Sequence, residues 1–318
     1  MRLLTLAIAC AAFALPAQAD TYPSKPVRLI SPAPAGGNAD AVARTVFEPV
    51  GKALGQPFVV ENRPGAGGNI GTEMAVGQPA DGYTLVEIIT ANTINATLYP
   101  NLKFDLMRDF TPVALAAEMP LILVVHPAVP VSNVKELIAY AKANPGKLNY
   151  ASAGSGTGGH VAAELFKTLA GVDIQHVPYK GATPAVTDVI GGRCEIFFDG
   201  MPSALQHVQS GRLKVLAITS GKRSATIPDV PTVAESGLPG FDVNLWLGFM
   251  APAGTPADVV KKLNTAVNDA TQTAGVKERF SKMGLEPVQR TPEQFGALIR
   301  SEIARWSTII KQSGAKVD

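Results

Sequence analysis

A run of small and hydroxyl-bearing residues near the middle of the chain has the composition of an anion-binding loop. It reads Ala151-Ser152-Ala153-Gly154-Ser155-Gly156-Thr157-Gly158-Gly159-His160. A strand-like segment precedes it and an amphipathic segment follows from Val161, so the run joins a strand to a helix N-terminus. Backbone N–H groups and the helix dipole favour a negative group at such a place, and glycine lets the backbone approach it. The hydroxyls of Ser152, Ser155 and Thr157 can also donate to an anion.

The first part of the chain repeats this design. A buried-type strand over Val27–Ser31 leads through a Pro- and Gly-rich loop into a helix whose apolar stripe ends before Gly55. A further strand, Thr84–Thr90, is followed by the small polar loop Ala91-Asn92-Thr93. Such alternation of strands and helices predicts a mostly parallel sheet, whose ligands bind at the carboxyl ends of the strands. We therefore expect these loops to share one edge.

Five side chains near these loops each allow two interpretations. His160 can contact a ligand or accept a hydrogen bond from its own loop, and Asp199 can bind a ligand amine or belong to an ordinary turn. Asp40 can stabilise the helix start or orient the first loop. Arg63 can pair with a ligand carboxylate or with a protein acid, and Lys180 is by default a solvated loop lysine.

Several other functions lack the residues that they require. Gly154, Gly156 and Gly159 match the dinucleotide fingerprint, but the next strand ends in Val177-Pro178-Tyr179-Lys180, without the acid that would bind a ribose. The chain contains neither a Walker phosphate loop nor a G-x-S-x-G nucleophile motif. Its histidines are not spaced as metal ligands. We therefore expect a protein that captures a ligand without a cofactor, a metal or a covalent step.

The N-terminus has the pattern of a secretory signal. Apolar residues follow Arg2, and Ala17-Gln18-Ala19 forms an A-x-A cleavage site before Asp20. Loss of residues 1–19 reduces Lys plus Arg from 28 to 27 against 26 acidic residues, a net charge of +1 that excludes a nucleic-acid footprint. Cys194 then remains alone, so no intrachain disulfide can form. A lipid-modified Cys10 is the less favoured alternative, because the apolar segment before it is short. These features predict an exported, periplasmic protein.

The 318 residues, 46% of them hydrophobic, suffice for two domains. Two strands, Val113–Glu118 and Leu121–His126, are predicted on either side of Met119-Pro120, where the chain would first cross between domains. A return crossing within Phe241–Ala251 gives discontinuous domains, 20–118 with 248–318 and 119–247. Ser132, Thr183 and Thr291 are the predicted N-caps of three helices, and the helix after Thr291 is expected to pack along the first domain.

Seven segments together resemble one known family. They are Pro34-Ala35-Gly36-Gly37-x-x-Asp40-x-x-Ala43-Arg44, Glu61-Asn62-Arg63-Pro64-Gly65-Ala66-Gly67-Gly68-x-Ile70-Gly71, Ala80-Asp81-Gly82-Tyr83-Thr84-Leu85, Tyr150-Ala151-Ser152-Ala153-Gly154-Ser155-Gly156-Thr157, His176-Val177-Pro178-Tyr179-Lys180-Gly181, Pro228-Asp229-Val230-Pro231-Thr232 and Ala251-Pro252-Ala253-Gly254-Thr255-Pro256. Across its mature length the chain resembles the Bug-type periplasmic solute-binding receptors of tripartite tricarboxylate transporters.

The resemblance implies an α/β two-domain clamshell of the type II periplasmic binding protein kind, with each domain a mixed sheet flanked by helices. It implies a monomer that closes on a small organic carboxylate, a di- or tricarboxylate or an aromatic acid. The partner would be the transporter's membrane subunits or a sensor kinase. The first loop and the Ser/Gly loop would hold the carboxylate, and loops at 90–92, 179–183 and Asp199 would shape the distal half. The expected ligand-binding residues are Ala33, Ala35, Gly36, Gly37, Asp40, Asn92, Ser152, Ala153, Ser155, Gly156, Thr157, His160, Tyr179, Gly181, Ala182, Thr183 and Asp199.

One position departs from the family pattern, and three alternatives stay open. Ala33 stands where the family usually has an aromatic residue, which predicts a wider site for a bulkier or aromatic carboxylate. The first alternative is a receptor of the same fold for a neutral amide or a vitamin-like ligand. The second is a protein that presents its ligand to a sensor. The third is an exported hydrolase, which would need a base beside Ser152 or Ser155.

Overall fold

A computed structural model describes residues 22–224 and 226–313, so the predicted signal over residues 1–19 lies outside the described residues. Its strands are β1 (Val27–Ser31), β2 (Phe58–Asn62), β3 (Thr84–Ile89), β4 (Phe110–Val125), β5 (Asn149–Ser152), β6 (Gln175–Pro178), β7 (Ile196–Gly200), β8 (Lys214–Ile218), β9 (Asn244–Pro252) and β10 (Glu286–Pro287).

Helices cover the faces of the sheet formed by these strands. They are α1 (Asn38–Leu54), α2 (Asn69–Ala75), α3 (Thr90–Leu98), α4 (Val134–Ala143), α5 (Gly158–Ala170), α6 (Ala182–Ile190), α7 (Met201–Gln209), α8 (Ala257–Gln272), α9 (Ala274–Lys282) and α10 (Pro292–Ser313). The stripe of α1 buries Val42, Val46 and Val50, and the helix ends at Gly55, whose φ of 73° is accessible to glycine at little cost.

The strands form one continuous mixed sheet with the order β2-β1-β3-β9-β4-β7-β5-β6. Strand β4 joins its two halves, because residues 110–120 pair with β9 whereas residues 121–125 pair with β7 and β8. Pro120 is the register partner of Asn244, and Val243 just before it hydrogen-bonds to Thr219 of the other half. The chain therefore passes from one half to the other at two positions that lie side by side.

Each half of the sheet has an apolar core on both faces, as the alternation of its strands dictates. In the first half, Leu29 faces α1 and α8, whereas its neighbour Ile30 faces the core that contains Phe295. In the second half, Leu123 lies in the core of α4 and α5, and Ile122 lies in the core of α6 and α7. The two halves of the sheet, each covered by helices, place the carboxyl ends of β1, β3, β5 and β7 around one opening.

The prediction of two strands around Met119-Pro120 is wrong, because β4 runs without interruption from Phe110 to Val125. Proline cannot donate a backbone hydrogen bond to a sheet. Pro120 lies where β4 changes partner. The next donor, the N–H of Leu121, is satisfied by Thr219 Oγ1 at 2.9 Å.

Some of the predicted helix starts agree with the structure and others differ from it by one or more residues. Thr291 and Gln294 form the predicted capping box, with N–H to side-chain oxygen distances of 3.0 and 3.2 Å. Helix α4 is capped by Asn133, whose side chain accepts from the N–H of Glu136, and Ser132 precedes this cap. Helix α6 begins one residue before Thr183, after Gly181. Helix α3 begins directly at Thr90, where a loop over 91–93 was predicted.

Helix α10 does not pack along the first half alone. Phe295 and Ile299 lie in the core of the first half with Trp246. About two to three turns after Ile299, Trp306 and Ile310 lie in the core of the second half. The apolar face predicted from the sequence is therefore continuous, but its two ends belong to different cores.

Candidate functional site

A cleft lies at the carboxyl ends of the strands, between the two halves of the sheet. It contains two adjoining cavities with volumes of about 580 and 280 Å³. Both cavities are lined by Gly37, Asn38, Met119, Thr157, Gly158 and Leu245. Because they share these walls, they form one site of a size suited to a small metabolite.

The remaining wall residues come from nine helices and strands and from the loops after β1 and β5. The larger cavity is completed by Leu121, Ala153, Gly159, Ala182, Thr183, Phe197, Phe198, Asp199, Gly200 and Ser203. The smaller cavity is completed by Ala33, Pro34, Ala39, Ile89, Thr90, Ala91, Trp246 and Leu247. Of the residues expected from the sequence, the structure thus brings to these walls Ala33, Gly37, Ala153, Thr157, Ala182, Thr183 and Asp199.

The N-termini of α1 and α5 both open into the cleft. Asn38 and Gly158, the first residues of the two helices, line both cavities. The first intrahelical bonds are donated by Ala41 and Val161, at 2.9 and 3.1 Å. The three N–H groups that precede each donor therefore have no acceptor within their own helix. Two positive helix ends that meet at one cavity favour a bound anion.

Asp40 stabilises the loop before α1. Its side chain is 4% exposed and accepts hydrogen bonds from the N–H of Gly36 at 2.9 Å, from Arg44 and from Asn62. Burial tends to raise the pKa of Asp40, but these donors hold it below its usual value. Gly37 donates to Pro34 O within the same loop. Of the two interpretations of Asp40, the geometry favours orientation of the loop. The N–H groups of Gly36 and Gly37 both donate to acceptors within the loop and its helix start.

The hydroxyls of Ser152 and Thr157 in the Ser/Gly loop also form contacts within the protein. Ser152 is fully buried, and its Oγ lies 2.7 Å from His176 Nε2. Thr157 Oγ1 donates to Gly154 O at 2.7 Å, although Thr157 itself lines the cleft. The N–H of Gly156 donates to His160 Nδ1 at 3.0 Å, which is the loop hydrogen bond considered as the alternative for His160. These contacts fix the shape of the loop around the cavity.

Three stacked rings lie beneath this loop. His176 stacks between Tyr150 and His160, with ring centroids 4.7 and 4.3 Å away and interplanar angles of 14° and 13°. A base thus stands beside Ser152, contrary to the expectation from histidine spacing, because parallel pairing of β5 with β6 brings the two together. Ser152 has no exposed surface, however, so a substrate cannot reach its hydroxyl in this geometry. The pair supports the loop from below.

Glycine at the start of α5 permits unusually close packing. A Cβ atom on Gly159 would lie 2.4 Å from the backbone oxygen of Phe198, and one on Gly158 would lie 2.1 Å from Leu245 Cδ2. The second contact involves a side chain that can rotate, but the first involves the backbone of β7. Gly159 therefore sets the distance between α5 and β7, and with it the depth of the cavity.

Asp199 is a buried acid at the end of β7, with 6% of its surface exposed. Burial raises its pKa to about 6, while hydrogen bonds from the hydroxyl of Ser203 and from the backbone of Gly200 oppose the rise. It is the one ionisable side chain among the described residues that line the two cavities. At neutral pH this wall of the cleft is therefore mostly negative.

The other expected residues are not among those that line the two cavities. Asn92 is fully buried and links the N–H of Ile89 to Thr72. The hydroxyl of Tyr179 donates to Asp188 at 2.9 Å, and the N–H of Gly181 donates to Ala153 O at 3.0 Å. These three residues support the cavity, and the structure does not bring them to its lining. The same holds for Ala35, Gly36, Asp40, Ser152, Ser155, Gly156 and His160.

No lysine or arginine is among the described residues that line the cleft. Arg63 pairs with Glu61, with Nε 2.6 Å from Oε1. This is the second of its two interpretations, in which its partner is an acid of the protein. Glu61 also accepts from Arg28 at 2.5 Å. An anion in the cleft would thus be held by backbone N–H groups and polar side chains.

Sequence reasoning missed most of the apolar wall. Met119, Leu121 and Leu245 come from strands that border the cleft, and Phe197 and Phe198 from β7. Met119 and Leu121 were missed because the sequence predicted a break between two strands at Met119-Pro120. Asn38 follows the Gly-rich loop directly and could have been found as the first helical residue.

The described residues contain neither a metal-binding cluster nor a membrane-spanning helix. Across residues 22–224 and 226–313, no three His, Cys, Asp or Glu side chains are grouped as they would be around a metal ion. None of the helices described is both long enough and apolar enough to span a membrane.

The chain matches a known protein family and is similar to a curated relative over nearly its whole length. Residues 42–315 match the tripartite tricarboxylate transporter family receptor. The chain is 40% identical over 312 residues to protein BugT of Bordetella pertussis, an alignment that covers 98% of this chain and 96% of the relative.

Two solved structures extend the comparison. Rpa4515 of R. palustris with adipate is 35% identical, covers 93% of this chain and 100% of its own, and superposes with a TM-score of 0.83. MatC from Rhodopseudomonas palustris with bound malate is 34% identical, covers 91% and 100%, and gives a TM-score of 0.78. The resemblance and the two-domain α/β fold expected from the sequence are both confirmed. With its fold and most of its length in agreement, the chain belongs to the receptor family of the tripartite tricarboxylate transporters.

Proposed function

We propose that this protein is an exported receptor that captures a small organic carboxylate for a tripartite tricarboxylate transporter. The observation that carries the proposal is the convergence of the N-termini of α1 and α5 on one cavity. The ligands of its structural relatives, adipate and malate, support the same class. A carboxylate held in this way needs no cation from a side chain.

Capture would proceed by closure of the two halves on the ligand. The predicted domains, 20–118 with 248–318 and 119–247, divide near Pro120 and Asn244, where the chain passes between the halves. We propose them as the moving units. Closure surrounds the carboxylate with groups from both halves, and no covalent step is required. The membrane subunits of the transporter would then accept the ligand, with a sensor as the alternative recipient.

A thermal-denaturation panel tests this function. The chain without residues 1–19 is melted with malate, adipate, benzoate and the matching amides. A ligand that binds only the folded state stabilises it by about 2.7 kcal/mol at a hundredfold excess over its Kd. We expect acids to raise the midpoint and their amides to leave it unchanged. Shifts with amides alone would contradict carboxylate capture and favour the receptor for a neutral ligand.

Ala33 predicts the width of the ligand that fits. It lines the smaller cavity beside Trp246 and Leu247. In an Ala33→Phe variant, the added ring is expected to occupy this space and to weaken benzoate at least about tenfold, a difference of about 1.4 kcal/mol, while malate is retained. Isothermal titration of both acids measures the effect.

An Ala128→Phe variant is the matched control for the Ala33 experiment. Ala128 is exposed and does not line the cleft, so the same increase in size should change neither affinity. If Ala33→Phe weakens the two acids equally, the cavity at Ala33 does not determine ligand width.

A further inference from the structure

The charge in the lining of the cleft has the same sign as the charge of the proposed ligand. Asp199 is the one ionisable group among the described lining residues, and it is an acid. It belongs to the larger cavity, whereas the residues around Ala33 belong to the smaller one. A ligand that extends along the larger cavity from the helix N-termini therefore encounters a carboxyl group at the end of β7.

The carboxyl group of Asp199 retains capacity to accept further hydrogen bonds. Ser203 donates to Oδ2, and the backbone of Gly200 supplies a second hydrogen bond. An ionised carboxylate has about four acceptor positions, so about two remain. With a pKa of about 6, the group is mostly ionised at pH 7.

The surroundings of Asp199 do not neutralise it. Among the residues that line the same cavity, Met119, Leu121, Phe197 and Leu245 are apolar, and none carries a positive charge. A buried carboxylate among apolar groups is costly unless donors surround it. A donor on the ligand would meet that need, whereas a second carboxylate on the ligand would add a like charge in a poorly solvated place.

We propose that Asp199 selects carboxylates whose far end carries a hydrogen-bond donor, an amine or a hydroxyl, over those that end in a second carboxylate. This inference rests on the proposed function, in which the first carboxylate lies at the helix N-termini. The ligand class is thus an amino or hydroxy acid whose donor reaches Asp199 while its carboxylate lies at the helix N-termini.

Two ligand series of matched length test the selection. Isothermal titration of the chain without residues 1–19 compares 4-aminobutanoate, 5-aminopentanoate and 6-aminohexanoate with succinate, glutarate and adipate. At the best-fitting length, the amino acid is expected to bind at least about tenfold more tightly than the diacid. A diacid that binds as tightly as its amino counterpart would overturn the selection and leave carboxylate capture intact.

Variants connect the preference to the side chain. In Asp199→Asn, the amino-acid preference should disappear and the diacid should gain affinity, because the amide removes the like charge. Asp269→Asn makes the same change on the exposed face of α8 and should alter neither series. If Asp199→Asn keeps the wild-type ratio of affinities, another group selects the ligand.

Two further measurements separate the possible failures. Ser203→Ala removes a donor to Asp199 without removing the charge of Asp199, so the preference for amines should persist in this variant. The measurement remains available even if Asp199→Asn folds poorly. The amide of the best amino acid, such as 6-aminohexanamide, tests the other end of the ligand. Binding of this amide as tightly as the acid would overturn both the selection and the carboxylate capture beneath it, as would the failure of all six acids to bind.

Discussion

Replacement of Gly159 by alanine is expected to abolish ligand binding and to lower the melting temperature by several degrees. The new Cβ atom would lie 2.4 Å from the backbone oxygen of Phe198, a distance that no rotamer change relieves. Helix α5 would have to retreat from β7, and overpacking of this kind costs about 1–3 kcal/mol. The retreat also moves the N–H groups of Gly158 and Gly159 at the helix start, so binding suffers beyond the loss of stability. Calorimetric melting and ligand titration measure the two effects.

Gly275 supplies the control for this experiment. It also lies in the first turn of a helix, α9, but a Cβ atom there would have no neighbour within 4 Å. Gly275→Ala should therefore leave binding unchanged and stabilise the helix by about 0.5–1 kcal/mol. Normal ligand affinity in Gly159→Ala would show that the position of α5 does not determine the site.

Glu87 is expected to make the protein less stable as the pH rises. It lies on β3 with no exposed surface, and Ser31 Oγ donates to its Oε2 at 2.6 Å, whereas Oε1 has no hydrogen-bond partner within the described residues. Burial raises its pKa to about 8, the bond from Ser31 opposes the rise, and the charge of Asp40 adds to it. The folded protein thus keeps Glu87 protonated under conditions in which the unfolded chain loses the proton.

The sign of this effect follows from proton linkage. The ordinary pKa of glutamate is about 4.3, so above that pH the unfolded state binds fewer protons at this position than the folded state. The contribution of Glu87 to stability is fully present below pH 4 and decreases by about 1.4 kcal/mol per pH unit until the folded pKa is reached. Glu87→Gln removes the titration. The variant should gain up to about 3 kcal/mol over the wild type between pH 5 and pH 7.5.

Urea denaturation of both proteins across this pH range measures the difference. Glu278→Gln is a useful control, because Glu278 is an exposed acid paired with Lys282, and such a pair contributes little. A difference between Glu87→Gln and the wild type that stays constant with pH would contradict a protonated Glu87.

Local signals in the sequence predicted the elements that depend on them. The stripe of Val42, Val46 and Val50 and the terminating Gly55 define α1, and the pair of Thr291 and Gln294 defines the start of α10. These features involve residues a few positions apart. Where two local signals competed, as for Ser132 and Asn133, the choice depended on which side chain reaches Glu136, and composition does not settle that.

The site depended on contacts between distant parts of the chain. The glycines correctly marked the loops at the cleft, but the directions of the hydroxyls came from partners that the sequence does not reveal. Ser152 faces His176 because β5 pairs with β6 in one register, and Asp40 is engaged by Asn62 from β2. For the same reason the apolar wall, with Leu245 from β9, was not foreseen. Under the proposed function, many of the donors are backbone N–H groups, which any sequence supplies, so side-chain types alone could not identify them.

The placement of α10 constrains how far the receptor can open. A helix of 22 residues is a rod of about 33 Å, and here its N-terminal half is buried with one half of the sheet and its C-terminal half with the other. A pure rotation about Pro120 and Asn244 would pull Trp306 from its core or separate Phe295 from Trp246. If the two halves move as proposed, opening would have to bend the rod or slide one of its ends through packed side chains. The C-terminal helix would then act as a mechanical stop that limits how far the halves separate.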